Sequence, residues 1–249
     1  MIDNYSGVLI IGHGTREDSS MQAYYDTVDL VRNMLPKTLV EGAYLEFAKP
    51  TIMEGIDLLI DQGARSIAAV PLFLSAYEHT SKDVPEAIEE AARQHPRINI
   101  TLTPHVGAQQ RVVELSAKRY LQSLDGRGEI MPKNTLVALA AHGSTEPGAI
   151  DELIEFSARR EKLTPVGRME SCFAVMGEPK LADLPERLAP LSSYKRIVVQ
   201  PHLILQGYYH NMIRSQVDTF HKEYPHIDWI VTEPLCTDPL LAQAVVEVI

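Results

Sequence analysis

The sequence predicts an α/β protein built from two tandem similar domains, each a small four-stranded parallel sheet flanked by helices. Two observations carry that expectation. Short apolar runs alternate with stretches whose apolar residues recur every three or four positions, the signature of strand followed by amphipathic helix. The whole pattern then occurs a second time, offset by about 129 residues. VLIIGHGT at 8–15 returns as VALAAHGS at 137–144, SIAAVPLFL at 66–74 as RIVVQPHLI at 196–204, and Lys49-Pro50 as Glu178-Pro179. A fixed-offset echo of this kind marks one fold unit duplicated and fused.

Each element follows from its residues. The apolar run at 8–11 breaks at Gly12-His13-Gly14, a buried strand entering a turn. Met21, Tyr24, Val28, Val31 and Leu35 then keep helical spacing until Pro36 stops the helix. A strand is expected near 39–47, a helix near 50–62 ended by Gly63, and a strand at 66–74. A helix near 82–94, a strand near 98–103 and a helix near 108–122 complete the first copy. In the second copy the strands fall near 135–140, 167–175, 195–203 and 227–232, with helices between them and one at the end. Parallel strands need crossovers, and the intervening helices supply them on both faces. The stretch SLDGRGEIMPKN at 123–134 is rich in glycine and charge, so the division is 1–124 for the N-terminal domain, 125–134 for a linker and 135–249 for the C-terminal repeat.

Bulk properties narrow the function. With 249 residues and 45% hydrophobic content, both copies can bury a core. A net charge of −10 argues against nucleic-acid and anionic-membrane partners, which want a basic face. The sequence carries no membrane-spanning run and no secretory opening, and Cys172 and Cys236 lack any metal-binding or disulfide spacing. A soluble cytoplasmic protein is expected. Gly12-His13-Gly14 lacks the further glycine of a dinucleotide loop, since position 17 is Glu17, and neither a P-loop nor a nucleophile elbow appears. No nucleotide cofactor is expected.

Ligands of open parallel sheets bind at the carboxyl ends of the strands. His13 lies just past the first strand, Glu46 at the end of the second, and His79 in the loop after the third. A strand order of 2-1-3-4 makes these three strands neighbours and brings two imidazoles and a carboxylate to one rim. That donor set suits a divalent transition ion with positions left open for exchange. Because an imidazole must be neutral to ligate, ion occupancy is expected to fall as pH drops through the general histidine range of roughly 6 to 7. Glu46 could instead pair with Lys49 or Lys82.

GHGT at 12–15, YLEFAKP at 44–50 and VPLFLSAYEHTSKDVP at 70–85 resemble, in this order and spacing, the motifs of the class II chelatases. Those are the sirohydrochlorin cobalt- and iron-inserting enzymes of cobalamin and sirohaem synthesis, and the likeness extends to their long form, in which two halves face each other across a cleft. The resemblance implies a lyase-type enzyme that inserts Co2+ or Fe2+, with Ni2+ also open, into a tetrapyrrole without ATP. It maps the metal-holding and catalytic roles onto His13, His79 and Glu46, which would grip the ion and accept pyrrole protons. Arg16, Ser81 and Lys82, near helix starts, are candidates for the substrate's carboxylates.

The second copy departs from this pattern. His142 repeats His13, but Val175 stands for Glu46 and Tyr209 for His79, with His210 one place late. The C-terminal half is therefore expected to lack a complete site and to form the opposing wall. His202 and His105 are open as contributors. His95, His221 and His226 read as solvated turn residues. Two other functions fit the same donors: a zinc hydrolase using two histidines and a glutamate, and a non-catalytic metal or tetrapyrrole carrier. The duplication already supplies two lobes, so a monomer is expected.

Overall fold

The computed structural model describes residues 5–75, 79–129, 131–144, 147–188 and 193–249, excepting the side chains of His79 and Thr80. The first sheet contains β1 (Gly7–Gly12), β2 (Leu39–Tyr44), β3 (Ser66–Pro71) and β4 (Asn99–Leu102), ordered β2-β1-β3-β4 with every neighbour parallel. The second contains β5 (Thr135–Ala141), β6 (Arg168–Phe173), β7 (Arg196–His202) and β8 (Asp228–Val231), ordered β6-β5-β7-β8, again all parallel. The expected topology is present in both copies. Every residue of β1 and of β7 is buried, which accounts for the unbroken apolar run of β1, whereas β7 also buries Arg196, Gln200 and His202.

Eight α-helices occur among the described residues: α1 (Asp18–Met34), α2 (Ile52–Asp61), α3 (Val84–Gln94), α4 (Gln110–Ser123), α5 (Pro147–Glu161), α6 (Leu184–Arg187), α7 (Tyr208–Glu223) and α8 (Pro239–Glu247). In α1 the expected stripe is buried at Tyr24, Val28 and Val31. Tyr24 also donates its hydroxyl toward the carbonyls of Ile10, at 2.7 Å, and Ala43, at 3.0 Å, and so ties the helix to β1 and β2. Helix α2 starts with a capping box, Thr51 accepting from the Glu54 amide while the Glu54 carboxylate accepts from the Thr51 amide.

The chain folds into two compact units whose limits are not those of the repeat. One comprises residues up to Val112 together with Cys236–Ile249, and the other Val113–Leu235. Each copy thus gives up its last helix. Most of α4 belongs to the second unit, where Tyr120 packs with Val137, Val198 and Ile230. There Ser116 receives two bonds from the buried Gln200 amide. Tyr120 also lies under the guanidinium of Arg160, 5.3 Å from its ring. Helix α8 belongs to the first unit and packs on α1. Its Leu241 and Val245 are fully buried, which contributes about 1.5–3 kcal/mol for each side chain. The Thr237 amide bonds the Thr27 hydroxyl at 3.4 Å, and Arg111 pairs with Glu247 at 2.8 Å. The sequence repeat marks where the motif recurs; the packing marks where each helix finds its apolar partner.

Among the described residues no helix is long and apolar enough to cross a membrane. Both cysteines are buried and unbridged, and burial raises the Cys172 thiol to about 12, which leaves it an inert core group.

Candidate metal centre

The rim at the carboxyl end of the first sheet is built by backbone bonds that continue past the strands. The Leu45 amide donates to the Gly12 carbonyl at 2.9 Å, and the Glu46 amide to the His13 carbonyl at 3.0 Å. This two-residue extension of the β1–β2 ladder sets His13 and Glu46 side by side. The chain can pass so close only because residue 14 is glycine. Its φ is 108°, and a Cβ there would lie 1.7 Å from the Glu46 carbonyl oxygen.

Their side chains meet, His13 Nε2 lying 3.1 Å from Glu46 Oε1. Both remain open to solvent, with 37% and 40% of their side-chain surfaces exposed. On its other edge the imidazole places Nδ1 3.4 Å from the Gly14 carbonyl oxygen. A proton on Nε2 makes the 3.1 Å contact a hydrogen bond donated to the carboxylate, and in the other tautomer, with the proton on Nδ1, Nε2 can ligate a cation shared with that carboxylate. Two aromatic rings flank the imidazole: Phe47 with centroids 5.8 Å apart, and the buried Phe73, edge-on at 6.4 Å. Among the described residues neither Lys49 nor Lys82 pairs with Glu46. Lys49 instead pairs with Glu54 at 2.7 Å.

The third expected donor follows β3. The His79 backbone opens a π-helical turn, His79–Asp83, leading into α3, while its side chain lies outside the described residues. Among the described residues no three His, Cys, Asp or Glu side chains gather as a metal site. Of the expected carboxylate binders, Arg16 is exposed and its guanidinium carbon lies 5.3 Å from the Phe47 ring centroid. Ser81 and Lys82 are exposed on the π-helical turn.

The equivalent rim of the second sheet keeps the scaffold and its histidine, His142, and among the described residues sets no carboxylate beside it. Gly143, with φ 103°, comes equally close to a carbonyl, that of Met176, and the His142 carbonyl accepts from Val175 at 3.0 Å and Met176 at 3.2 Å. Both residues that could occupy the carboxylate position are apolar. The His142 ring meets Tyr209 edge-on at 4.4 Å instead. His210 is buried in α7 with Nε2 3.3 Å from the Thr232 carbonyl, and burial together with the nearby Arg214 lowers its pKa. His202 is buried 4.4 Å from the Phe156 ring, and burial lowers its pKa to about 4. It is a neutral packing residue. His105 caps a short turn by accepting from the Gly107 amide at 3.2 Å. His226 is exposed in a turn, as expected, and His221 is exposed but lies in the last turn of α7 rather than beyond it, whereas His95 is only partly exposed and has Asp57 at 2.9 Å. The flanking aromatics Phe47 and Phe73 were not legible as rim residues, since nothing in an apolar strand end tells which ring reaches the rim.

Fold and rim together define a duplicated α/β protein with an imidazole and a carboxylate poised at the ligand-binding edge of one sheet. The chain belongs to the CbiX family, whose model matches residues 7–123 and 136–249. It is 26% identical, over 87% of its length and 80% of the relative's, to a sirohydrochlorin ferrochelatase of Priestia megaterium. To a sirohydrochlorin cobaltochelatase of the same organism it is 24% identical, over 89% of this chain and 72% of the relative. A sirohydrochlorin cobaltochelatase of Sulfurisphaera tokodaii is 30% identical over 45% of this chain but 89% of its own length, a relative the size of one repeat. Among solved structures, SirB from Bacillus subtilis with Fe3+ superposes with a TM-score of 0.83, covering 97% of this chain and 93% of that one at 23% identity, which establishes the shared fold.

Proposed function

We propose that this chain is a sirohydrochlorin chelatase, a lyase-type enzyme that inserts ferrous iron or cobalt, with nickel a third candidate, into the macrocycle without a nucleotide. The observation that carries this reading is the half-exposed His13–Glu46 pair at 3.1 Å on the strand-end rim. Membership of the CbiX family supports it, as do relatives named for both ions.

The ion is a substrate that must be held and then released. One imidazole nitrogen and one carboxylate oxygen, both reachable by solvent, hold a borderline ion while leaving most of its coordination sphere for exchange. His79, opening the π-helical turn, is the third donor in this reading. Macrocycle nitrogens bind the ion only after losing their protons, so a base must stand beside it. Glu46 or a neutral imidazole fills that role. Arg16, Ser81 and Lys82 receive the substrate's carboxylates. The C-terminal repeat has no complete site, and the protein acts as a monomer in the cytosol, without nucleic-acid or membrane partners.

The test is an anaerobic assay with sirohydrochlorin and Co2+, Fe2+ or Ni2+, followed by the absorbance change on metallation. Replacing His13 and His79 together by Ala should reduce insertion to the uncatalysed rate. Turnover retained in that variant refutes the site; turnover limited to one equivalent in the unaltered protein identifies a carrier.

A further inference from the structure

Phe47 occupies a position that a folding chain has little reason to give a phenyl ring. Its backbone is left-handed, with φ 62°, where a Cβ crowds the following carbonyl. Its ring is 55% exposed to solvent. The fold itself does not demand this. The matching loop of the second repeat turns between the same kinds of strand and proline with its left-handed residue one place later, at Gly177 with φ 98°. One copy therefore makes the turn with glycine, and the other carries a strained aromatic beside the ion-holding pair. Strain of this sort persists where it serves a function.

The surroundings indicate which function. Phe47 directly follows Glu46, its ring stands 5.8 Å from that of His13, and the Arg16 guanidinium lies 5.3 Å from its centroid. Among the described residues no carboxylate pairs with Arg16. An exposed aromatic face with an adjacent guanidinium complements a flat, conjugated molecule edged with carboxylates: the ring covers the face and the cation takes the edge.

We propose that Phe47 is a substrate-binding residue whose ring lies against one face of the tetrapyrrole beside the His13–Glu46 pair, with Arg16 passing from that ring to a peripheral carboxylate. This rests on the insertion reading above. The test compares the full-length protein with Phe47→Asn, which tolerates a left-handed backbone, and with Phe47→Trp. It measures steady-state insertion with sirohydrochlorin and Co2+, Co2+ binding alone by calorimetry, and thermal stability. Phe47→Asn should keep its melting temperature and Co2+ affinity while KM for the tetrapyrrole rises about tenfold or more, and Phe47→Trp should keep KM within about threefold. An unchanged KM in Phe47→Asn overturns the proposal. So does a parallel loss of Co2+ affinity, which would make Phe47 a positioning residue for His13. If the unaltered protein metallates sirohydrochlorin with none of Co2+, Fe2+ and Ni2+, the insertion reading itself fails, an outcome recognisable before any variant is made; if it takes only another of these ions, that ion replaces Co2+ in the comparison.

Discussion

The two strand-end rims are the same backbone carrying different chemistry. Both place a histidine after the central strand, both follow it with a left-handed glycine pressed against a carbonyl, and both continue the ladder by two residues. At the first, the neighbour of the histidine is a carboxylate 3.1 Å away; at the second it is a tyrosine ring 4.4 Å away, with Val175 and Met176 where an acid would be. Backbone close approaches constrain the fold in both copies, whereas the donors are exposed side chains that can change without unfolding anything. A duplicated scaffold can therefore keep its shape while only one copy keeps the imidazole–carboxylate pair.

Substitutions can break this comparison. The largest effect on activity should come from Glu46→Gln, which keeps the shape but removes charge and basicity: insertion should fall about a hundredfold or more, while His142→Ala stays within about threefold. Comparable losses from the two, in the same absorbance assay, would mean that both rims work. Gly14→Ala and Gly143→Ala should each destabilise by more than about 2 kcal/mol in denaturant titrations, because either Cβ would meet a backbone carbonyl that cannot retreat. A neutral result at either position would contradict the shared scaffold.

A third contrast is in pH response. His202 titrates near 6.5 in the unfolded chain and at about 4 when buried. Between those values the unfolded chain binds more protons, so stability rises with pH there and is lost on acidification, on the order of 2 kcal/mol by pH 5. His202→Leu should flatten that part of the stability profile of the second unit. An unaltered slope would show that His202 is not the responsible group. The smallest expected effect is a gain. Val175→Glu combined with Tyr209→His should give the second rim a weak site, seen as an additional Co2+ equivalent in calorimetry at millimolar ion.

Much of this was readable from the residues. Parallel strands buried on both faces favour apolar residues, as in β1, and the repeat of the pattern implied two sheets. Glu46 and His13 were legible as neighbours because both end adjacent strands. The left-handed backbone at Phe47 was not, because an aromatic residue carries no signal for positive φ, and the second copy moves that conformation by one residue to Gly177. His202 follows a strand proline and reads equally well as a rim or a core residue; only the packing of Phe156 against it decides. The unit limits were hidden as well, since periodicity says nothing about which sheet a terminal helix will cover.

That exchange of helices has a consequence for the order of events during synthesis. Residues bearing the His13–Glu46 rim emerge before α8 does, and the hydrophobic side of α1 waits for that helix, within Cys236–Ile249. A nascent polypeptide that stops short of α8 thus carries His13 and Glu46 on an unfinished body. The unit that carries the rim closes only once α8 has been made, which ties its maturation to synthesis of the whole second unit.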